Sequence, residues 1–371
     1  MELSFIIWNG SPEIFSIGPI ALRWYGLLFA LGFLVSQQIL YYMHKKEGKP
    51  EKEVDNLTII MVVATIIGAR LGHVIFYQPE TILENPLGVL LPFEFTPKFH
   101  FTGFLGLASH GGALGIFLAL WLYARKKKLS YLHVLDRLAI LVALTGAFIR
   151  FGNYFNSEII GKPTDSPMGV VFANRLTETI TNKDLPRNPI ETVSLLKNKQ
   201  EADTLKETGR VPMLLYLFLK PDVTEGDMRS YLEYTLKPAI NNQDEHFYSE
   251  PFSQLQFSFS RQDNASLAVK IPVVGIARHP AQLYESISCV FLFALLFWIW
   301  RKYNGLPPEG RIFGTFMTIL WLLRFGYEFL KENQVSFENT LPINMGQILS
   351  IPLFLVGVFI LVRSYKKEPI A

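Results

Sequence analysis

The chain has 371 residues, of which half are hydrophobic and only 18% charged, with 30 phenylalanines and a single cysteine. Runs such as VFLFALLFWIW exclude the turn-punctuated strands of a soluble α/β enzyme, and the net charge of +3 says little until its distribution is read. The composition is that of an integral membrane protein. Cys289 lies inside an apolar run, so no intramolecular disulfide can form. The first 18 residues lack the basic and apolar regions of a removable signal peptide, which leaves targeting to the first span.

In chain order, apolar runs predict seven spans near 19–42, 57–77, 101–124, 134–155, 280–301, 311–331 and 345–363. Lysine and arginine orient them, because short basic loops stay in the cytoplasm. HKKEGKPEK follows the first span with four lysines, and RKKKLSYLHVLDR follows the third with five basic residues. RKYNGLPPEGR and RSYKK follow the fifth and seventh with three each. The alternate loops QPETILENPLGVLLPFEFTPKF and KENQVSFENTLPIN hold one lysine each. This alternation puts the N-terminus outside and the C-terminus in the cytoplasm. The long connection after the fourth span then falls outside. Within it VPMLLYLFLK and QLQFSFSRQDNASLAVKI alternate like strands, the second turning near Asp263 and Asn264. TEGDMRSYLEYTLKPAI has helical spacing behind a Thr224 N-cap. The expected fold is an all-α polytopic membrane protein of about seven transmembrane helices with a small extracytoplasmic α+β insertion. Its parts are 1–177 (membrane domain, spans one to four and the loop after them), 178–272 (insertion) and 273–371 (membrane domain, spans five to seven).

With that topology the polar residues of six spans share one depth in the outer half of the bilayer. Arg150, Asn153, Asn156 and Glu158 end span four, and Arg278, His279, Gln282, Tyr284 and Glu285 open span five. Arg324 and Glu328 end span six, Arg23 and Tyr25 open span one, Arg70 and His73 lie in span two, and His110 lies in span three. Singly, each has an ordinary explanation. Terminal arginines snorkel to headgroups, Arg324 and Glu328 form an i,i+4 pair, and HGGALG reads as a small-residue packing face. Their convergence is harder to explain so, since each charge at membrane depth costs ~2.5–3.5 kcal/mol on insertion scales. A polar cavity open to the outer leaflet is expected. Guanidinium groups from two helices suit bidentate phosphate binding, and phosphate at headgroup depth suggests a phospholipid. Asn153 and Asn156 add neutral donors, and Glu158 and Glu328 can orient the arginines. An imidazole such as that of His110 can accept a proton near neutral pH. The set suits displacement at a carbon bearing a phosphate leaving group, with the nucleophile supplied by the substrate. No HExxH, Cys/His pair, GxSxG or nucleotide-cradling glycine loop is present in the sequence. No metal and no cofactor is expected.

These motifs resemble the prolipoprotein diacylglyceryl transferases of bacteria. RFGNYFNSEIIGKPTD (150–165) looks like that family's signature. HGGALG (110–115), RHPAQLYE (278–285), RWYG (23–26), GARLGHVIFY (68–77) and NMGQILSIP (344–352) match further blocks in the expected order. The resemblance implies transfer of diacylglyceryl from phosphatidylglycerol to the lipobox cysteine of a preprolipoprotein, forming a thioether and releasing glycerol phosphate. It implies a bacterial cytoplasmic (inner) membrane location. The implied partners are phosphatidylglycerol, signal peptides with a lipobox and membrane lipids, with no nucleic acid. By resemblance Arg150 and Arg324 handle the phosphate, while Asn153, Glu158 and Gly161 shape the headgroup site. His110, Tyr25 and Glu328 complete the catalytic set, and the thiol proton goes to His110, a carboxylate or water. Three departures stand out: Ile149 where the family usually has glycine, Leu320 where a tyrosine is common, and the enlarged 178–272 connection. A transporter is the rival class, but its paired halves and midplane site have no counterpart in this sequence.

Overall fold

A computed structural model describes residues 4–17, 20–84, 89, 93–94, 100–101, 108–181, 188–199, 208–221, 223–241, 247–248, 255–261, 267–332 and 341–367. Strands β1 (Ile6–Trp8), β2 (Glu13–Ile17) and β3 (Ile20–Arg23) lead into helices α1 (Trp24–Lys46) and α2 (Lys52–Tyr77). A short α3 (Thr81–Glu84) and strands β4 (Phe93–Glu94) and β5 (His100–Phe101) precede α4 (Ser109–Lys127) and α5 (Tyr131–Phe155). Next come β6 (Val170–Phe172), α6 (Asn174–Thr181), β7 (Ile190–Lys197), β8 (Arg210–Leu219) and α7 (Glu225–Tyr231). A π-helical turn at Leu232–Leu236 runs into α8 (Lys237–Asn241), and β9 (Phe247–Tyr248), β10 (Ser258–Arg261) and β11 (Leu267–Ile276) follow. The chain ends with α9 (Ala281–Lys302), α10 (Arg311–Tyr327), a 3₁₀ turn at Glu328–Leu330, and α11 (Met345–Tyr365).

Among the described residues, α1, α2, α4, α5, α9, α10 and α11 overlap the expected runs. Five of them, α1, α2, α5, α9 and α11, are long and apolar enough to cross a membrane. The chain is mostly helical and polytopic. The first helix starts later than expected, at Trp24, because Ile20–Arg23 pairs antiparallel with the strand at Glu13–Ile17 instead of entering the helix. Part of the third expected span, and the turn at Asp263 and Asn264, lie outside the described residues. α5 has the most buried apolar window of the five, 61% against 17–28% for the others.

The chain divides into two compact units, and the unit that holds the signature comprises 1–31, 147–288 and 323–349. In it β10, β11, β8 and β7 form an antiparallel sheet in that order, with β9 paired to β11. The strand alternation expected in VPMLLYLFLK is present: Met213, Leu215, Leu217 and Leu219 are fully buried and pack with Val269 and Ile271 of β11. Leu176, Ile180, Met228, Leu232 and Leu236 from the short helices and the π-helical turn belong to the same core. Thr224 caps α7 as predicted, its Oγ1 accepting from the Asp227 amide at 3.3 Å. β1 pairs parallel with β6, which ties the N-terminus to the segment after the signature.

The other unit comprises 32–146, 289–322 and 350–371. Here α2 and α4 meet through glycines, as membrane helices do where small residues let backbones approach. A Cβ at Gly72 would stand 2.6 Å from the Gly111 Cα, and one at Gly115 would stand 2.5 Å from the Ala64 carbonyl oxygen. Leu40, Met43, Val54, Ile140, Leu296, Trp300 and Ile312 form the core. A buried polar knot closes one part of it. Glu47 accepts from Lys49 at 2.7 Å, Arg137 Nε at 3.0 Å and Trp300 Nε1 at 2.9 Å. Asp136 accepts from the amides of Gly310 and Phe313 at 2.8 and 2.7 Å. Cys289 is buried in this unit, with its Sγ beside Gly146.

Candidate active site

α5 ends at Phe155, and the turn after it holds Glu158 between two residues in the left-handed region, Ser157 (φ 51°) and Ile159 (φ 57°). A β-branched residue is rarely found there, so the surroundings must impose the conformation. They do so from three directions. Ser157 Oγ donates to Asn174 Oδ1 at 2.5 Å, and Asn174 Nδ2 donates to the Phe155 carbonyl at 3.2 Å, with both side chains buried. Gln282 Nε2 donates to the Glu158 carbonyl at 2.6 Å. Asn156 Nδ2 donates to Glu158 Oε1 at 2.6 Å. Trp8 packs against Tyr154 (4.5 Å between ring centroids), and Trp24 stacks on Phe155 at 5.1 Å.

Beside this turn runs a chain of charges. Arg150 Nε lies 2.6 Å from Glu285 Oε2, and the other oxygen of Glu285 meets Lys331 Nζ. Lys331 Nζ is also 3.4 Å from Glu328 Oε1, which lies 3.7 Å from a terminal nitrogen of Arg324. Asn344 Nδ2 donates to the second oxygen of Glu328 at 3.1 Å. Asn344 and Gln347 form a reciprocal capping box at the start of α11, with amide-to-side-chain bonds of 3.1 and 2.9 Å. Gly346 has no side chain because a Cβ there would stand 2.6 Å from the Glu328 carboxyl carbon.

Gly161 sits where three segments meet. Its amide donates to the His279 carbonyl at 3.1 Å, the Lys162 amide donates to the Leu330 carbonyl at 2.7 Å, and Arg278 donates to the Gly161 carbonyl at 3.1 Å. Arg278 also pairs with Glu332 at 2.7 Å. Tyr25 lies against α5 at Gly152, where a Cβ would come within 2.9 Å of its ring, and within electrostatic reach of Glu158 and Arg150. Asn153 is buried, and its Oδ1, together with Asn156 Oδ1 and Gln282 Oε1, has no hydrogen-bond partner among the described residues. Three buried acceptors in one neighbourhood call for donors from a ligand or water.

The signature unit thus gathers Tyr25, Arg150, Asn153, Glu158, Gly161, Arg324 and Glu328. His110 belongs to the other unit. It is exposed there, with Phe76 edge-on at 5.4 Å and Tyr77 at 6.3 Å. A cavity of about 410 Å³ adjoins the signature turn, lined by Arg23, Asn156, Glu158, Arg175 and Glu178 among others. Burial pushes the Glu178 carboxyl above its ordinary range. Among the described residues no group of three or more His, Cys, Asp or Glu is placed to hold a metal ion.

Two members of the charge chain escape sequence reasoning. Glu285 is recognisable as polar at a span end, but its pairing with Arg150 is a tertiary fact. Lys331 reads as the lone lysine of an outer loop. Its one local signal is the i,i+3 spacing from Glu328, which places it on the same face.

Five helices long and apolar enough to cross a membrane, with a network of paired arginines and carboxylates beside the turn after α5, define a polytopic membrane protein. The family model for prolipoprotein diacylglyceryl transferase matches residues 12–363. A phosphatidylglycerol–prolipoprotein diacylglyceryl transferase of Bacteroides fragilis is 32% identical over 98% of this chain and 97% of its own length. Proteins of the same name from Tolumonas auensis and Chloroherpeton thalassium are 30% and 31% identical, again over 98% of this chain, and over 99% and 96% of their own lengths. The chain belongs to the prolipoprotein diacylglyceryl transferase family, as its motifs suggested.

Proposed function

We propose that this protein is the transferase that moves diacylglyceryl from phosphatidylglycerol to the lipobox cysteine of a preprolipoprotein, the first step of bacterial lipoprotein maturation. The observation that carries the reading is the family match over 12–363, supported by two arginines that belong to one chain of ion pairs. The thiolate sulfur attacks the glyceryl carbon that bears the phosphate. A C–S bond forms, the C–O bond breaks with its electron pair passing to phosphate oxygen, and glycerol phosphate leaves. Arg150 and Arg324 neutralise the phosphate as charge gathers on it. The unpartnered amide oxygens of Asn153 and Asn156 suit the hydroxyl groups of the glycerol head. Glu158 and Gly161 shape that site, Tyr25 lines it, and Glu328 holds Arg324. His110 is proposed as a catalytic residue on chemical grounds, as a base for the thiol proton.

The same reading places seven spans in the bacterial inner membrane, with the N-terminus outside and the basic ends of α1, α4 and α9 in the cytoplasm. It divides the chain at 1–177, 178–272 and 273–371, with the middle part outside the membrane. Signal peptides with a lipobox and membrane lipids are its partners, and nucleic acid is not. The test uses purified protein in phosphatidylglycerol vesicles with a lipobox peptide, read by mass spectrometry of the cysteine. The expected result is a diacylglyceryl adduct with wild type and at least ~100-fold less with Arg150→Ala or Arg324→Ala, both folded. No adduct from folded wild type, even with a full-length preprolipoprotein, would overturn the reading.

A further inference from the structure

Lys331 is 4% exposed although it follows the 3₁₀ turn after α10, where a lysine would ordinarily reach solvent. Its ammonium touches Glu285 and stands 3.4 Å from Glu328, and each of those carboxylates pairs with one of the two arginines. All five groups belong to one compact unit. We propose that Lys331 is a positioning residue for the transfer reaction, bridging Glu285 and Glu328 so that Arg150 and Arg324 face a single phosphate diester. This rests on the transferase reading given above.

Two physical arguments support it. The first is geometric. Two carboxylates that share one ammonium repel each other once it is removed, and the repulsion is strong at low dielectric. Each would then draw in its own arginine, and the guanidinium groups would lose their common aim. The lysine is itself fixed through its main chain, by the bridge between Gly161 and Lys331 and by the 2.7 Å bond from Lys162 to Leu330. A compact ammonium with three donors can serve two carboxylates at once.

The second argument is charge. Within this chain of ion pairs, Arg150, Arg324 and Lys331 set three positive charges against the two negative charges of Glu285 and Glu328, one in excess among these five groups. A phosphate diester carries one negative charge and balances the cluster. Without Lys331 the four remaining groups of this chain balance, and their pull on an anionic headgroup weakens. Lys331 therefore acts through the carboxylates and arginines, without touching the lipid.

The experiment uses the full chain in phosphatidylglycerol vesicles with a lipobox peptide, comparing wild type with Lys331→Met, Lys331→Gln and Lys331→Arg. Folding is checked by gel filtration and thermal melting, and the glutamine variant, which keeps a donor, serves if the methionine variant does not fold. The neutral variants are expected to lower kcat/KM for phosphatidylglycerol by about 100-fold, the usual cost of a ~1 Å misplacement. KM for the peptide should stay within about 3-fold, while Ki for added glycerol phosphate rises by about 10-fold. Lys331→Arg should recover activity to within about 10-fold of wild type, because it restores the bridging charge. A folded neutral variant with wild-type kcat/KM would overturn the proposal. So would an arginine variant as poor as methionine, or a loss that leaves the glycerol phosphate Ki unmoved. A wild type that forms no adduct would remove the transferase reading, and this proposal with it.

Discussion

Gly161→Ala puts one methyl group at the junction that holds Lys331 in place. The new Cβ would stand 2.5 Å from the His279 carbonyl oxygen, 2.6 Å from the His279 Cβ and 2.8 Å from the Leu330 carbonyl oxygen. Ordinary contact begins near 3.4 Å, so the His279 oxygen alone asks for a shift of roughly 0.9 Å. Retreat in the other direction is blocked by Leu330. Overpacking of this kind costs ~1–3 kcal/mol. Strain on the bonds from Gly161 to His279 and from Lys162 to Leu330 adds up to about 1 kcal/mol each. The expected loss is about 2–4 kcal/mol, read as a lower melting temperature in detergent. Activity should fall further than stability, by about 100-fold per folded molecule, because Leu330 and Lys331 move together. Gly226→Ala is the control. Its nearest neighbour is 3.8 Å away, in the first turn of α7, so its melting should match wild type. An alanine at 161 that melts with wild type and transfers at full rate would refute the close-packing argument.

Glu47→Gln should destabilise the protein by about 3–5 kcal/mol at neutral pH, since it leaves Arg137 and Lys49 beside a neutral amide in a buried site. Burial pushes the Glu47 carboxyl up, but the charge of Arg137 and the bonds from Lys49 and Trp300 outweigh it and hold the group below its ordinary value. A depressed carboxyl contributes fully above its unfolded value near 4.5 and loses that contribution as pH falls through its folded value. Melting curves taken downward from pH 7 should therefore converge for wild type and Glu47→Gln, and parallel curves would contradict this. In the glycine seam of α2 and α4, Gly111→Ala sets a Cβ against the Gly68 carbonyl and 2.7 Å from the Gly72 Cα. It should cost about 2 kcal/mol or more. Gly112→Ala, whose nearest neighbour is 3.5 Å away, should melt with wild type, and equal effects at the two positions would disprove the seam.

Sequence made the helices legible because a bilayer-length apolar run admits few other structures, and residues such as those of α9 or α11 satisfy that rule locally. Where partners are distant, reading fails. Ile20–Arg23 looks like the start of a span, and only its pairing with Glu13–Ile17 makes it a strand. α10 gives way to a 3₁₀ turn at Glu328, so the residues read as the end of a sixth span instead bring Lys331 to Glu285, with Glu328 on the same ammonium. The arginines stand out in the sequence, since guanidinium groups at the ends of apolar runs demand an explanation. The wiring between them does not. It depends on a salt bridge from α9 to α5 and on a bridge between Gly161 and Lys331, and neither leaves a mark at any local spacing. Left-handed Ser157 and Ile159 were also invisible, because neither is a residue type that announces that conformation.

A catalyst that alkylates sulfur is exposed to its own chemistry whenever it carries a reactive thiol. The chain has one sulfhydryl in all, Cys289, and it is buried among helix residues. Thiols of that kind are inert, since they are hidden from both oxidants and electrophiles. On the proposed reaction, the lipid donor meets no competing thiol on the protein's surface, so turnover would not end in a self-alkylated dead end. No mixed disulfide with an incoming cysteine would form at the surface either. Selectivity for the substrate's sulfur is in this sense partly a matter of subtraction: the protein offers its electrophile only one accessible kind of thiol, and that one arrives from outside.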